Sequence, residues 1–285
     1  MESGRMVREI CALREHAPIT FAHLSTQSGP EEHSLHVNDH AVELYVYVSG
    51  DVHYVIEDRY YVLEKYDFLL IPPHSTHAPV IKKRGKYERF YLLLPPDVFG
   101  AYADAPLERL LQLTAGERRI FLPTDVRERA MALLYRMSEL SCGEDDGLLT
   151  LRLHALLLEL LCLLCAGSAN AATSAEAAAV PPLIRDTLAY IAKNATEIEH
   201  VASLAAHFYV SAPYLCSLFK KHVGVTVNDY LRAKKISAAK AHLSAGRSVT
   251  YTCYECGFND TSYFIKVFRR YVGMTPRQYR ERHGE

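Results

Sequence analysis

The chain has 285 residues, 49% of them hydrophobic, and a formal net charge of −1, which suits a soluble protein of about two globular domains. No stretch approaches the roughly eighteen uninterrupted apolar residues of a membrane span, because the richest window, Leu148 to Cys165, is broken by Arg152, His154 and Glu159. Met1 to Leu13 mixes Glu, Arg and Cys without an apolar core, so a signal peptide is not expected and a cytoplasmic location is.

From about Ile19 to Leu94 the chain reads as short strands separated by turns. Val42 to Val48 ends at Ser49-Gly50-Asp51, Val52 to Ile56 ends at Glu57-Asp58-Arg59, and Tyr60 to Leu63 follows. Phe68 to Ile71 stops at Pro72-Pro73, and Tyr87 to Leu94 stops at Pro95-Pro96. Closely spaced strands rich in Val, Ile, Tyr and Phe predict an all-β sandwich or small barrel. From Leu107 to about Ala166 the period becomes helical, with Leu and Met at three- and four-residue spacings in Arg127 to Leu140 and Leu148 to Leu164. The second of these is dense in Leu around most of its circumference, as expected of a helix packed on more than one side, within its own domain or against a partner subunit. Gly167 to Pro182 is small, nearly uncharged and closed by two prolines, the composition of a linker. The expected organisation is therefore 1–166, linker 167–182, and a helical domain 183–285.

Everything after Leu183 reads as helix, and two helix-turn-helix units follow each other. In the first, His200 to His207 precedes the turn Phe208-Tyr209-Val210, and Ser211 is placed to cap a helix over Ala212 to His222 that Gly224 stops. A long helix, Val227 to Ala245, separates this unit from the second. There Val249 to Cys256 precedes Gly257, Asn259-Asp260 supplies the cap, and Thr261 to Tyr271 forms the second recognition helix. Leu215, Leu218, Phe219, Phe264, Val267 and Phe268 fall on the core faces. The net charge conceals an asymmetry: Leu183 onward carries about seven net positive charges and the remainder about eight net negative ones, a split that suits a nucleic-acid-binding module. The seven cysteines are odd in number and irregularly spaced, unlike a disulfide framework. Cys162/Cys165 and Cys253/Cys256 share C-x-x-C spacing without a second ligand pair nearby, and are expected to be free thiols in helices rather than a metal site.

The run G-F-N-D-T-S-Y-F-I-K-V-F-R-R-Y-V-G-M-T-P-R-Q-Y-R, Gly257 to Arg280, together with the upstream S-A-P-Y-L-C-S-L-F-K-K-H-V-G, resembles the double helix-turn-helix domain of the AraC/XylS family of transcription factors. The resemblance covers about Leu183 to His283. It departs at Thr252 and Cys253, where the family usually has Ile and Ala, and at Lys235, where Arg is usual. It implies that the first turns of both recognition helices enter adjacent major-groove segments, where base edges are distinguishable. Base contacts are then expected from Ala212, Tyr214, Cys216 and Ser217 in the first unit and from Asn259, Asp260, Thr261, Ser262 and Lys266 in the second. Lys220, Lys221, Arg269, Arg270 and Arg277 are expected to neutralise phosphates, which supplies affinity more than sequence choice. The family further implies double-stranded DNA, RNA polymerase and a second copy of the chain as partners, with activation of transcription and no catalysis.

The segments H-V-N-D-H-A-V-E-L-Y-V-Y-V-S-G (His36 to Gly50) and Y-D-F-L-L-I-P-P-H-S-T-H (Tyr66 to His77) resemble the cupin-type sensor half of such regulators. His36, Glu43 and His77 match three of the four ligand positions of a metal-binding cupin, but Asn38 stands where the second His would be. Tyr66 and His74 occupy positions where glycines are common. No metal or other cofactor is therefore expected. Alternation places Tyr45 and Tyr47 on the face of Glu43, and Leu44, Val46 and Val48 on the opposite face toward helices. With His36, His77, Arg89 and Tyr91 they form an expected effector pocket suited to a sugar or similar polyol. The fold class expected overall is α+β and multidomain: an N-terminal cupin-like β-barrel with a helical dimerisation segment, then an all-α domain with two helix-turn-helix units. Two alternatives stand beside the regulator, a metal-dependent cupin enzyme with a helical appendage and a binding protein that uses its helical half on protein partners; the alternative to the pocket is a barrel filled by its own tyrosines.

Overall fold

The computed structural model describes residues 5–10, 19–30, 35–95, 98, 106–115, 117–142, 147–168 and 180–284. Ten strands lie in the N-terminal part: β1 (Arg5–Ile10), β2 (Ile19–Ser28), β3 (His36–Val37), β4 (Val42–Ser49), β5 (Val52–Ile56), β6 (Arg59–Val62), β7 (Phe68–Ile71), β8 (Thr76–Ile81), β9 (Gly85–Leu94) and β10 (Arg119–Ile120). With them are helices α1 (Pro106–Leu113), α2 (Thr124–Cys142) and α3 (Leu149–Ser168). The C-terminal part is helical: α4 (Pro182–Asn194), α5 (Val201–His207), α6 (Ala212–Val223), α7 (Val227–Ser244), α8 (Val249–Glu255), α9 (Thr261–Val272) and α10 (Pro276–His283). Most of the expected linker, residues 169–179, lies outside the described residues.

The strands do not close into the expected barrel. They form two antiparallel sheets, one of six strands in the order β1-β2-β9-β4-β7-β10 and one of four in the order β3-β8-β5-β6. Among the described residues, no ladder joins the two sheets into a cylinder, so the architecture is a sandwich. Tyr45, Tyr47, Val52, Tyr54, Ile56, Leu69, Ile71 and Tyr87 fill the layer between the sheets. On the outer face of the larger sheet, Leu44, Val46, Val48, Phe90 and Leu92 pack against Leu107, Leu134, Leu153, Leu157 and Leu161 of α1, α2 and α3. This is the alternation that the pattern of β4 predicts, and it divides one strand between a cavity side and a helix side.

Helix α3 is long and apolar enough by composition to cross a membrane. Here Leu149, Leu153, Leu157, Leu160, Leu161 and Leu164 are buried in the core, while Leu148, just before it, and Leu151 are 52% and 60% exposed.

Tyr66 and His74 adopt positive φ values of 67° and 62°. The left-handed turns that glycine would accommodate are thus kept by bulkier residues, which is unfavourable by about 1 kcal/mol or more each. Each is held by backbone bonds: Tyr66 N–H donates to the Tyr47 carbonyl at 2.8 Å, and His74 N–H to the Asn38 carbonyl at 2.7 Å.

The outer face of the smaller sheet is covered by the helical half, where Val55 and Val80 join the core of Ile184, Leu188, Leu215, Phe219 and Tyr230. Residues along α7 fasten it there. Tyr230 donates its hydroxyl to the Glu57 carbonyl, Lys234 pairs with the Glu57 carboxylate, and Ser237 donates to the His74 carbonyl at 3.2 Å. Lys240 contacts both oxygens of Asp39. Spacings of three and four residues put these groups on one stripe of the helix.

Candidate functional site

The two helix-turn-helix units are built by the same local devices. Ser211 caps α6 by accepting from Tyr214 N–H at 3.3 Å, Pro213 lies in the first turn, and Gly224 ends the helix at φ 83°. Asp260 caps α9 by accepting from Tyr263 N–H, and Gly273 ends it at φ 81°. Of the expected pair Asn259-Asp260, Asp260 is therefore the cap. Thr226, Ser248 and Thr275 cap α7, α8 and α10 in the same way. Each cap satisfies an otherwise orphaned amide, so the short helices start at defined residues.

These devices present polar and basic faces to solvent. Tyr214, Ser217, Lys220 and Lys221 are exposed on α6; Ser262, Lys266, Arg269 and Arg270 are exposed on α9, with Asn259 and Asp260 just before it and Arg277 on α10. Thr261 is half-buried, and Ala212 and Cys216 turn partly into the core of the first unit, which leaves Tyr214 (54% exposed) and Ser217 as the projecting residues of that helix's early turns. Several further groups join this surface. Tyr209, in the turn before α6, is 98% exposed at φ 55°, and Tyr263 projects from α9 with its hydroxyl accepting from Arg232 Nε at 3.1 Å. Tyr209 could have been found as a large aromatic residue at a turn. Arg232 could not, since only the fold brings α7 beside α9.

The second unit is tied to the helix between the units through Lys235, whose Nζ donates to the Gly257 carbonyl at 2.8 Å and lies 5.7 Å from the Phe258 ring centroid. Gly257 has φ 70°, and a Cβ there would meet the Thr196 carbonyl oxygen at 2.0 Å. Cys253 and Cys256 are buried; burial first, and then the neighbouring Glu255, push the Cys256 thiol up to about 12. They pack as small hydrophobes.

A cavity of about 290 Å³ lies in the β-rich half. β4 contributes Glu43 and Tyr45, β9 contributes Tyr87, Arg89, Tyr91 and Leu93, and Leu24, His36, Asn38, Tyr54 and Pro79 complete the wall. Of the expected pocket residues, His36, Glu43, Tyr45, Arg89 and Tyr91 line it. Tyr47 shares the inner face, but its hydroxyl donates to the Gly50 carbonyl. His77 stands behind Glu43, with its ring 4.1 Å from that of His36. Tyr87 has the strand parity of Arg89 and Tyr91, so the same alternation already pointed to it; Tyr54 comes from the opposite sheet, which only pairing reveals.

Glu43 Oε2 accepts from Asn38 Nδ2 at 2.6 Å and lies 3.0 Å from His77 Nε2. The other His77 ring nitrogen faces the Ser75 carbonyl at 2.8 Å. Both nitrogens therefore face oxygen atoms, which fixes the ring between Ser75 and Glu43. Burial raises the Glu43 pKa, but the His77, His36 and Asn38 interactions outweigh it and hold the carboxyl below its ordinary value. Tyr45 and Tyr87 hydroxyls are 2.6 Å apart, and burial pushes Tyr87 up to about 12, so both are neutral near pH 7. His36, Glu43 and His77 offer donor atoms within 4.8 Å of one another, which is chemically sufficient for three ligands to a divalent cation. Glu43 would first have to release its present partners.

Residues 204–282 match the family described as a helix-turn-helix domain. The chain is 32% identical over 103 residues to regulatory protein PocR of Salmonella typhimurium, an alignment covering 36% of this chain and 34% of that protein. It is 30% identical over 99 residues to the melibiose operon regulatory protein of Escherichia coli, covering 34% and 33%. A longer alignment, 29% identical over 165 residues, covers 56% of this chain and 56% of the arabinose operon regulatory protein of Salmonella typhimurium. The chain thus spans about a third of the length of the first two relatives and about half of the third. The chain therefore carries a helix-turn-helix domain over residues 204–282 and is similar, over part of its length, to these regulatory proteins.

Proposed function

We propose that the protein is a transcriptional regulator that binds double-stranded DNA through α6 and α9 and responds to a small effector held between its sheets. The observation that carries this reading is the repeated device itself: two helix-turn-helix units, each ending in a capped helix with exposed early residues and a basic last turn, with one long helix between the units. In this reading the exposed Tyr214, Ser217, Ser262 and Lys266 meet base edges, and the exposed Lys220, Lys221, Arg269, Arg270 and Arg277 meet phosphates. The relatives named for the melibiose and arabinose operons, together with a cavity lined by hydroxyl, imidazole and carboxylate groups, support a carbohydrate-like effector in this cupin-type half. Exposed Leu148 and Leu151 beside the buried stripe of α3 support a homodimer formed through that helix, with activation through RNA polymerase in the cytoplasm as its output.

The test is a mobility shift on DNA from the protein's own upstream region, across a salt series, with excess unrelated DNA and a panel of sugars. Competitor-resistant binding that weakens with salt is expected, together with a sugar that alters it. Binding that unrelated DNA fully removes, at that region and in a genomic selection of bound fragments, overturns the reading. A monomer at micromolar concentration in analytical ultracentrifugation removes the dimer.

A further inference from the structure

The cavity has two chemically different ends. At one, Glu43 Oε2 already has two partners, Asn38 and His77. At the other lies Arg89, between Tyr87 and Tyr91 on β9. Its guanidinium sits over the Tyr87 ring, 4.2 Å from the centroid, and its Nη1 reaches Thr26 Oγ1 at 3.4 Å. Among the described residues, Arg89 has no carboxylate partner. The adjacent acid, Glu88, has the opposite strand parity and is taken by Lys86 at 2.8 Å and His23 at 3.1 Å.

A guanidinium carries five N–H donors in a planar fork. Here one long contact to a hydroxyl and one aromatic face leave most of that fork unmatched, on a half-buried cation that water only partly solvates. The surrounding phenols supply hydroxyls and no negative charge. Bidentate pairing with a carboxylate is the interaction that the fork fits best. The volume of about 290 Å³ is at the lower end of ligand cavities, which begin near 300 Å³, and this suits one sugar ring rather than two.

Resting on the reading of this cavity as an effector site, we propose that its ligand is a sugar acid of monosaccharide size, with its carboxylate on Arg89 and its hydroxyls toward Tyr45, Tyr87 and Glu43. A neutral sugar would leave the cation without a counter-charge.

The test uses the full chain and titration calorimetry with a panel of hexuronates and aldonates, their neutral parent sugars and the uronate methyl esters, which keep the shape and remove the charge. An acid is expected to bind at least about tenfold more tightly than its ester and parent. Arg89→Gln is expected to abolish that preference and Arg89→Lys to keep part of it, with melting curves confirming that both variants fold. A neutral sugar that binds as tightly as its acid, with affinity unchanged in Arg89→Gln, overturns the acid class and leaves the effector site standing. If no acid, ester or parent sugar binds, the acid proposal and the carbohydrate reading of the cavity both fall.

Discussion

Lys240 gives its ammonium group to both carboxylate oxygens of Asp39, at 2.7 and 2.8 Å, and so joins the helix between the two helix-turn-helix units to the β-rich half. Asp39 directly follows Asn38, whose side chain reaches Glu43 at the cavity. Lys240 is buried and Asp39 half-buried, so the pair lies between the exposed case, worth about 1 kcal/mol or less, and the fully buried one, where removing a partner costs about 3. Lys240→Ala and Asp39→Ala are each expected to weaken docking of the helical half by an amount in that interval. A double-mutant cycle read by urea denaturation checks it: coupling below about 0.5 kcal/mol means that the contact contributes nothing specific.

Thr252 is fully buried in the second unit, and among the described residues its hydroxyl has no hydrogen-bond partner. Thr252→Val keeps the shape and removes the desolvated polar group. It is expected to stabilise the protein by about 1 kcal/mol, seen as a raised midpoint with an unchanged denaturant slope. A loss of stability would mean that the hydroxyl is satisfied in solution.

Gly257→Ala places a Cβ against the Thr196 carbonyl at a positive φ. A destabilisation of more than about 1 kcal/mol is expected, together with loss of DNA affinity, because the Lys235 contact to the Gly257 carbonyl holds the turn of the second unit. Native melting and unaltered affinity would show that the turn can relax.

On DNA, Arg270→Ala is expected to weaken all sequences alike and to reduce the slope of log affinity against log salt by about one. Lys266→Ala should instead narrow the gap between the preferred site and its base-substituted variants. Binding isotherms at four salt concentrations separate these outcomes, and a sequence-selective effect of Arg270→Ala would reverse the assignment.

Cys256 adds a pH signature. Burial raises its thiol from 9.0 to about 12 in the folded chain, so folded molecules keep a proton that unfolded ones lose above pH 9. Its contribution is full below pH 9 and declines as pH rises toward 12, by about 1 kcal/mol at pH 10. Cys256→Ala should therefore lose less stability than the wild type between pH 7.5 and pH 10. Equal losses would mean that the thiol ionises freely, as would rapid alkylation of Cys256 in the native protein.

Local order was largely legible in the sequence. Alternation along Glu43 to Val48 sorted cavity side from helix side, and Ser211, Gly224 and the Asn259-Asp260 pair marked helix ends, because these signals act within a few residues. Sheet closure was not legible, since it depends on which distant strands share a ladder. The docking of α7 was hidden for a related reason: Lys234 and Lys240 look like ordinary solvated lysines until Glu57 and Asp39 are brought beside them. Tyr47 illustrates a finer limit, as parity placed it inward but the Gly50 carbonyl captured its hydroxyl.

The stripe of α7 that grips the β-rich half lies along the rod that separates the two helix-turn-helix units, while Tyr214, Ser217, Lys266 and Arg269 stay open to solvent. At 18 residues this rod is about 27 Å long, comparable with the roughly 34 Å of one duplex turn. That grip therefore holds the helix that sets the separation of α6 and α9 while it leaves the exposed faces of both open.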